Sequence, residues 1–309
     1  MEAQKKGIIY AASAYMMWGI LPLYWKLIDD VPAEEILAHR IVWAFVFMLF
    51  ILFISKRFGQ FKNEFVQLFK RPKLFMSLTI ASILISGNWF VYIWAVNHNH
   101  VIEASLGYYI NPLVSILLGT LVLKEKLNFW QYIAVGLAAF GVAILTIRYG
   151  SIPWIAISLA CTFGLYGLSK KLLDYDSMIG LTMETMIVTP IALVYLGMLG
   201  AKGISSFGTV SITSTLLLAG AGIVTALPLL YFAKGTKLIS LSMVGFLQYI
   251  APTISLVLGI FVFHEHFTNA HMIAFFFIWI ALFVFSIAKT KFMLNKQPKF
   301  IKNKSAKVS

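Results

Sequence analysis

The sequence predicts an all-α polytopic membrane protein, with ten transmembrane helices arranged as two five-helix halves, the second threaded upside down. Three observations carry that expectation. Apolar segments of about 20 residues, long enough to cross a bilayer's hydrocarbon core, recur along the chain. Of the 309 residues, 60% are hydrophobic and only 12% are charged, against about 25% charged in soluble domains, so the charges cannot cover a surface in water. The stretch 109–127, finally, repeats itself 140 residues later. Backbone groups find no partner in lipid, so spans must be helices or closed strands, and the segment lengths select helices.

The elements follow in order. After Lys5 and Lys6 an apolar run over 7–28 shows no small-residue cleavage site, which makes it a retained first span rather than a signal peptide. The second span covers 36–55. The connection 56–73 is the only long one, and Phe58, Phe61, Phe65, Leu68 and Phe69 among its lysines suggest a helix lying in the interface. Spans follow at 74–96, 101–123, 129–147, 152–171, 178–200, 212–233, 239–263 and 269–288. A basic tail closes the chain. The matching spans 101–123 and 239–263 each contain a breaker, Asn111-Pro112 and Ala251-Pro252.

Lys and Arg counts orient the chain, because loops rich in them stay cytoplasmic. With the N-terminus inside, the inner segments hold 21 of the 25 cations, the outer loops hold Arg148 and Lys202, and Lys26 and Arg40 fall within spans. Both termini are therefore expected in the cytoplasm. The net charge of +13 then faces the anionic lipids of the inner leaflet, and nucleic acid is dropped as a partner.

At a shift of 140, Tyr109, Ile110, Pro112, Ser115, Leu118, Gly119, Val122 and Glu125 fall on Tyr249, Ile250, Pro252, Ser255, Leu258, Gly259, Val262 and Glu265. A weaker match at 145 sets Trp18-Gly19 on Phe163-Gly164 and Lys26 on Lys171. Five spans per copy is odd, so the second copy is inverted. Charge agrees: Lys124-Glu125-Lys126 is inner, and its copy His264-Glu265-His266 is outer without lysine. Halves related by an axis in the membrane plane can exchange conformations, which is alternating access with substrate near the midplane.

The residues also resemble a known family. Trp18-Gly19 with Pro22-Leu23-Tyr24-Trp25-Lys26, Leu37-Ala38-His39-Arg40 with Trp43, Asn88-Trp89 with Tyr92-Ile93-Trp94, and Glu103 through Leu113 carry the resemblance in the first half. Gly180-Leu181 with Glu184-Thr185, Leu247 through Thr253, and Phe277-Ile278-Trp279 carry it in the second. The chain resembles the RarD group of the EamA-type transporters in the drug/metabolite transporter superfamily. The resemblance implies a bacterial inner-membrane exporter with two EamA-like repeats, here 1–148 (spans 1–5) and 149–289 (spans 6–10), followed by the tail 290–309. It also implies relatives linked to chloramphenicol sensitivity and to export of amino acids and other metabolites. The acidic ends of spans 4 and 9 carry Lys or His neighbours where relatives often have Arg.

Polar groups inside spans mark a pathway or a buried pair. Arg40 and Lys26 are candidates to meet an anionic group of a substrate, and Glu184 an amine or a coupling proton. The alternative is that the cations snorkel, or pair with Asp29, Asp30, Glu34, Glu35 or Glu103. Arg40 ranks first, since its fork suits a carboxylate. Trp18, Asn88, Trp89, Tyr92, Tyr108, Gln248 and Tyr249 complete the candidate lining, weighed against plain packing and against satisfaction of backbone groups freed by a breaker. Pro112, Pro252, Gly119 and Gly259 are candidate gating elements of paired helices.

Cys161 is the only cysteine, which excludes disulfides and thiolate metal sites. The His pairs 98/100 and 264/266 read as solvated loops, so no metal is expected. No zinc-helix, nucleophile-elbow or phosphate-loop motif is present, so neither an enzyme nor a cofactor is expected, and transport is secondary or relies on a partner ATPase. A lipid or polyprenyl-carrier translocase is the alternative function. The expected partners are a small-molecule substrate and membrane lipids, with a homodimer left open.

Overall fold

Thirteen helices make up the described part of the chain, and their ends are set by local chemistry. The computed structural model describes residues 2–98, 100–150, 153–173, 175–262 and 269–298. The helices are α1 (Glu2–Lys26), α2 (Ala33–Ile54), α3 (Phe58–Leu68), α4 (Pro72–Asn97), α5 (Val101–Leu121), α6 (Phe129–Tyr149), α7 (Trp154–Leu172), α8 (Ser177–Ala201), α9 (Ile212–Leu238), α10 (Leu241–Gln248), α11 (Ile250–Phe261), α12 (Asn269–Ile287) and α13 (Lys291–Asn295). Side chains cap several helix starts: Asn128 and Gln131 form a reciprocal capping box on α6, and Asp176, Ser211 and Ser240 accept first-turn N–H groups of α8, α9 and α10. Gly150, at φ 83°, ends α6 in the left-handed conformation.

Nine spans among the described residues are long and apolar enough to cross a membrane. The tenth expected span, 152–171, is α7, which has 19 residues and carries Lys170 and Lys171 in its last turn. Those lysines lower its apolarity, and α4, α5 and α9 pack around it. One side of α7 still exposes Trp154, Ile157, Leu165 and Leu172, as the other spans expose apolar residues. Exposed Phe50, Phe53, Phe90, Phe140, Phe276 and Phe283 line the outer surface of the bundle, as a lipid-facing wall requires.

Helix α3 forms within the expected 56–73 connection. It buries Phe61 and Leu68, and Phe61, Phe65, Phe69 and Phe75 continue as a ring ladder with centroids 5.3–6.2 Å apart. Arg57 Nη1 pairs with Asp176 Oδ2 at 2.6 Å, which ties the start of α3 to the start of α8.

The two expected breakers behave differently. Helix α5 runs through Pro112 without interruption, so the interruption expected there is absent: one missing N–H is tolerated inside a packed bundle. The second copy does break. Tyr249 separates α10 from α11, and its N–H bonds to Phe246 O at 3.3 Å in a tightened turn. Pro252 lacks the N–H that would have reached the Gln248 carbonyl.

Packing partners exchange between halves. Helix α1 packs on α9 and α11, and α7 packs on α4 and α5; α2 packs on α9, and α8 on α4. The pairs α2–α8, α5–α10 and α6–α12 join helices that the expected repeat would match to each other. The largest buried cluster sits at the centre, where Tyr15, Tyr166, Phe232, Leu241 and Val244 of α1, α7, α9 and α10 meet.

Candidate functional site

Two ionisable groups inside the bundle organise the site. Arg40 lies in the second turn of α2, half-buried, with its guanidinium 4.8 Å from the ring of Trp25 and 4.9 Å from that of Trp89. Its Nε donates to Thr225 Oγ1 on α9 at 3.0 Å. Tyr92 and Tyr108, whose rings are 5.8 Å apart, lie within range of its charge. Tyr108 keeps 48% of its surface exposed although α5 is packed among other helices. Among the described residues no carboxylate forms an ion pair with Arg40. Stacking on two indoles leaves the edge of a cation free, and the unused N–H groups form a fork that matches a carboxylate.

Glu184, on α8, is fully enclosed. Lys170 Nζ sits 2.6 Å from both of its oxygens, Tyr166 donates to Oε2 at 3.2 Å and Tyr175 to Oε1 at 3.0 Å. The Tyr175 ring reaches this position across Gly180, where an added Cβ would lie 1.6 Å from Tyr175 Cε2. Between the two centres is a cavity of about 20 Å³ lined by Ile41, Ser86, Trp89, Tyr166, Glu184 and Thr185 among others. It holds about one water, far below the roughly 300–1,000 Å³ of a small-molecule pocket. Trp89 thus stacks on Arg40 and walls the cavity that Glu184 also lines.

The other expected residues divide. Trp89, Tyr92 and Tyr108 join Arg40. Lys26 does not: it lies exposed and pairs with Asp29 at 2.7 Å. Asn88 bridges α4 to α7 through Leu159 O and Thr162 Oγ1, both at 2.8 Å. Trp18 packs on Phe163 and Phe232 in the central core. Gln248 donates to Ser115 Oγ at 2.9 Å across the α5–α10 contact, and Tyr249 is buried at the break beside α5. Pro112, Pro252 and Gly259 are buried in their helices.

Gly119 admits a latch. Glu125, just beyond α5, accepts from Leu241 N at 2.6 Å, Ser242 N at 2.8 Å and Ser242 Oγ at 2.6 Å. A carboxylate on three donors at a helix start is strongly held. Its repeat equivalent, in His264-Glu265-His266, lies outside the described residues. At the end opposite α3, buried Glu35 accepts from Ser205 Oγ, Ser206 N and Ser206 Oγ, and Glu103 accepts from Ile155 N at the start of α7. Sequence reasoning missed Lys170, Thr225 and these carboxylate anchors. Lys170 reads as a loop cation by position, yet adjacent Lys170 and Lys171 point about 100° apart on a helix, so one of them must turn inward.

Residues 5–147 match the EamA-like transporter family. A Bacillus subtilis (strain 168) protein named uncharacterized transporter YojE is 54% identical over 93% of this chain and 95% of its own. The chain belongs to the EamA-like transporter family. Proteins named RarD from Escherichia coli (strain K12) and Salmonella typhi are 41% and 42% identical, each over 91% of this chain and 94% of the relative. They place it in the RarD group of the drug/metabolite transporter superfamily. A solved crystal structure at 17% identity superposes with a TM-score of 0.70, covering 93% of this chain and 99% of that one, and shows the same fold. The relatives are named as transporters rather than enzymes, and this EamA-like chain is a multi-pass transporter of the drug/metabolite type.

Proposed function

We propose that this EamA-like protein exports a small amphipathic metabolite, either amino-acid-like with a carboxylate or neutral and chloramphenicol-like, across a bacterial inner membrane by alternating access. The observation that carries the reading is Arg40, stacked on Trp25 and Trp89 and held by Thr225 with its fork unpaired. The carboxylate docks on that fork, and the apolar part lies against Tyr92, Tyr108 and Trp89. The exchange of packing partners between halves supports two inverted repeats, 1–148 and 149–289, as the moving parts. The cation distribution supports cytoplasmic termini. In that orientation the Glu125 latch closes the cytoplasmic side.

Proteoliposomes test the reading with a panel of amino acids, chloramphenicol (a relative at 24% identity is named a chloramphenicol-sensitive RarD) and lipid carriers. Arg40→Gln is expected to abolish transport with normal membrane insertion. Arg40→Lys is expected to retain only part of it, because a point charge cannot replace the fork. Wild-type rates in Arg40→Gln overturn the assignment, and movement of a lipid carrier alone replaces the exporter by a translocase. Cysteines at 98 and 125 test orientation: the first should label from outside intact cells and the second should not.

A further inference from the structure

A lysine and a glutamate, each at most 3% exposed, lie inside the bundle with both carboxylate oxygens 2.6 Å from one ammonium. Removing two charges from water costs several kcal/mol per ion, and apolar residues of similar volume commonly hold helices together as well or better. A staple between α7 and α8 therefore needs no charge.

We propose that Glu184 is the proton-binding site of the transport cycle, with Lys170 as the counter-charge that protonation releases. The proposal rests on the transporter reading above. The groups facing Glu184 are Lys170 and Tyr166 from α7 and Tyr175 from the α7–α8 connection. From α9, Lys237 acts on Lys170 and donates to Tyr175 O. The α2 and α4 residues that wall the cavity beside it, among them Ile41, Ser86 and Trp89, are neutral. One carboxylate thus balances two nearby ammonium groups. Hydronium, arriving through the cavity that fits one water, gives its proton to a Glu184 oxygen: one O–H bond forms, water is returned, and Lys170 keeps its three protons. Two cations then face a neutral acid in a low-dielectric interior, where like charges repel strongly.

Relief is close by. Lys170 is two residues from the end of α7, so its ammonium reaches the cytoplasmic surface by a modest rearrangement. The next residue, Lys171, donates to Thr236 O and Ile239 O, in the turn that leads directly to Leu241 and Ser242, which hold Glu125. Movement of the α7 end therefore pulls on the latch. Protonation opens the cytoplasmic side, and release of the proton there closes it.

The test uses purified protein in lipid nanodiscs, titrated to acid under infrared difference spectroscopy. A cysteine at buried Ile239, in a Cys161→Ser background, reports opening by its labelling rate. The expected results are a carboxylic-acid carbonyl band that Glu184→Gln removes, and labelling that accelerates along the same titration. Glu184→Gln at neutral pH should label about tenfold faster than wild type, the shift expected of a fixed open-biased state. A band unchanged by Glu184→Gln, or labelling independent of pH, overturns the proposal. If Glu184→Gln does not fold, the apolar pair Lys170→Met/Glu184→Met carries the test: folded protein with pH-independent labelling is expected, and a wild-type pH response overturns it. Arg40→Gln separates the two readings, since it should lose transport and keep the proton response.

Discussion

Gly119 meets the Glu125 latch so closely that one methyl group tests the latch as a whole. A Cβ at position 119 would lie 2.7 Å from Glu125 Oε2, 2.9 Å from Ser242 Oγ and 3.0 Å from Ser242 N. The last is backbone at the start of α10, so a single rotamer change cannot relieve the overlap, and Gly119→Ala is expected to expel the carboxylate. Three hydrogen bonds of 2.6–2.8 Å are then lost. Bonds to a charged group contribute about 1.5–3 kcal/mol each, but water at the membrane surface replaces much of that. A net loss of about 2–3 kcal/mol follows, or roughly 30- to 150-fold in the ratio of closed to open latch. The assay is the labelling rate of a cysteine at buried Ile239, read beside the thermal unfolding midpoint. Glu125→Ala should produce the same change, and Gly119→Ala added to it should cost less than it does alone, because only its overlap with Ser242 is left. Additive losses, or an unchanged labelling rate in Gly119→Ala, would refute the latch.

Three further outcomes are expected. At the α2–α9 crossing an added Cβ on Gly222 would sit 2.2 Å from the Trp43 carbonyl carbon, so Gly222→Ala should destabilise by about 1–3 kcal/mol through forced backbone separation, seen as a lower unfolding midpoint. Asn88→Ala removes both bonds from α4 to α7 and should cost about 1–2 kcal/mol of stability without altering which substrate is transported, a point that a competition assay checks. The Lys26 ammonium, by hydrogen bond and charge, holds the exposed Asp29 carboxyl below its usual range. A depressed carboxyl favours the folded state at neutral pH, and that contribution disappears as pH falls through its titration. Because the pair is exposed, Lys26→Ala should leave both unfolding midpoint and transport unchanged; lost transport would return Lys26 to the site.

The apolar spans, a helix within 56–73 and the transporter family were legible because each depends on features local to the chain. Hydropathy over about 20 residues identifies a span wherever it later packs. The fate of individual polar residues was not local. Lys26 and Arg40 are both cations near span ends, yet one meets Asp29 three residues on, and the other is stacked between aromatic rings of α1 and α4. Pro112 and Pro252 match in the repeat, but only the second accompanies a break.

The sequence by itself determined the membrane-spanning class, the repeated halves of the amino-acid text and the residue types available for a site. Tertiary structure alone decided which charges meet. Lys170 and Glu184 are 14 residues apart, Arg40 and Thr225 185, and Glu125 and Leu241 116. The physical reason is that hydrophobicity acts on each segment independently of its neighbours, whereas a buried charge is defined by its partner, and a partner across a helix contact leaves no local trace in the chain.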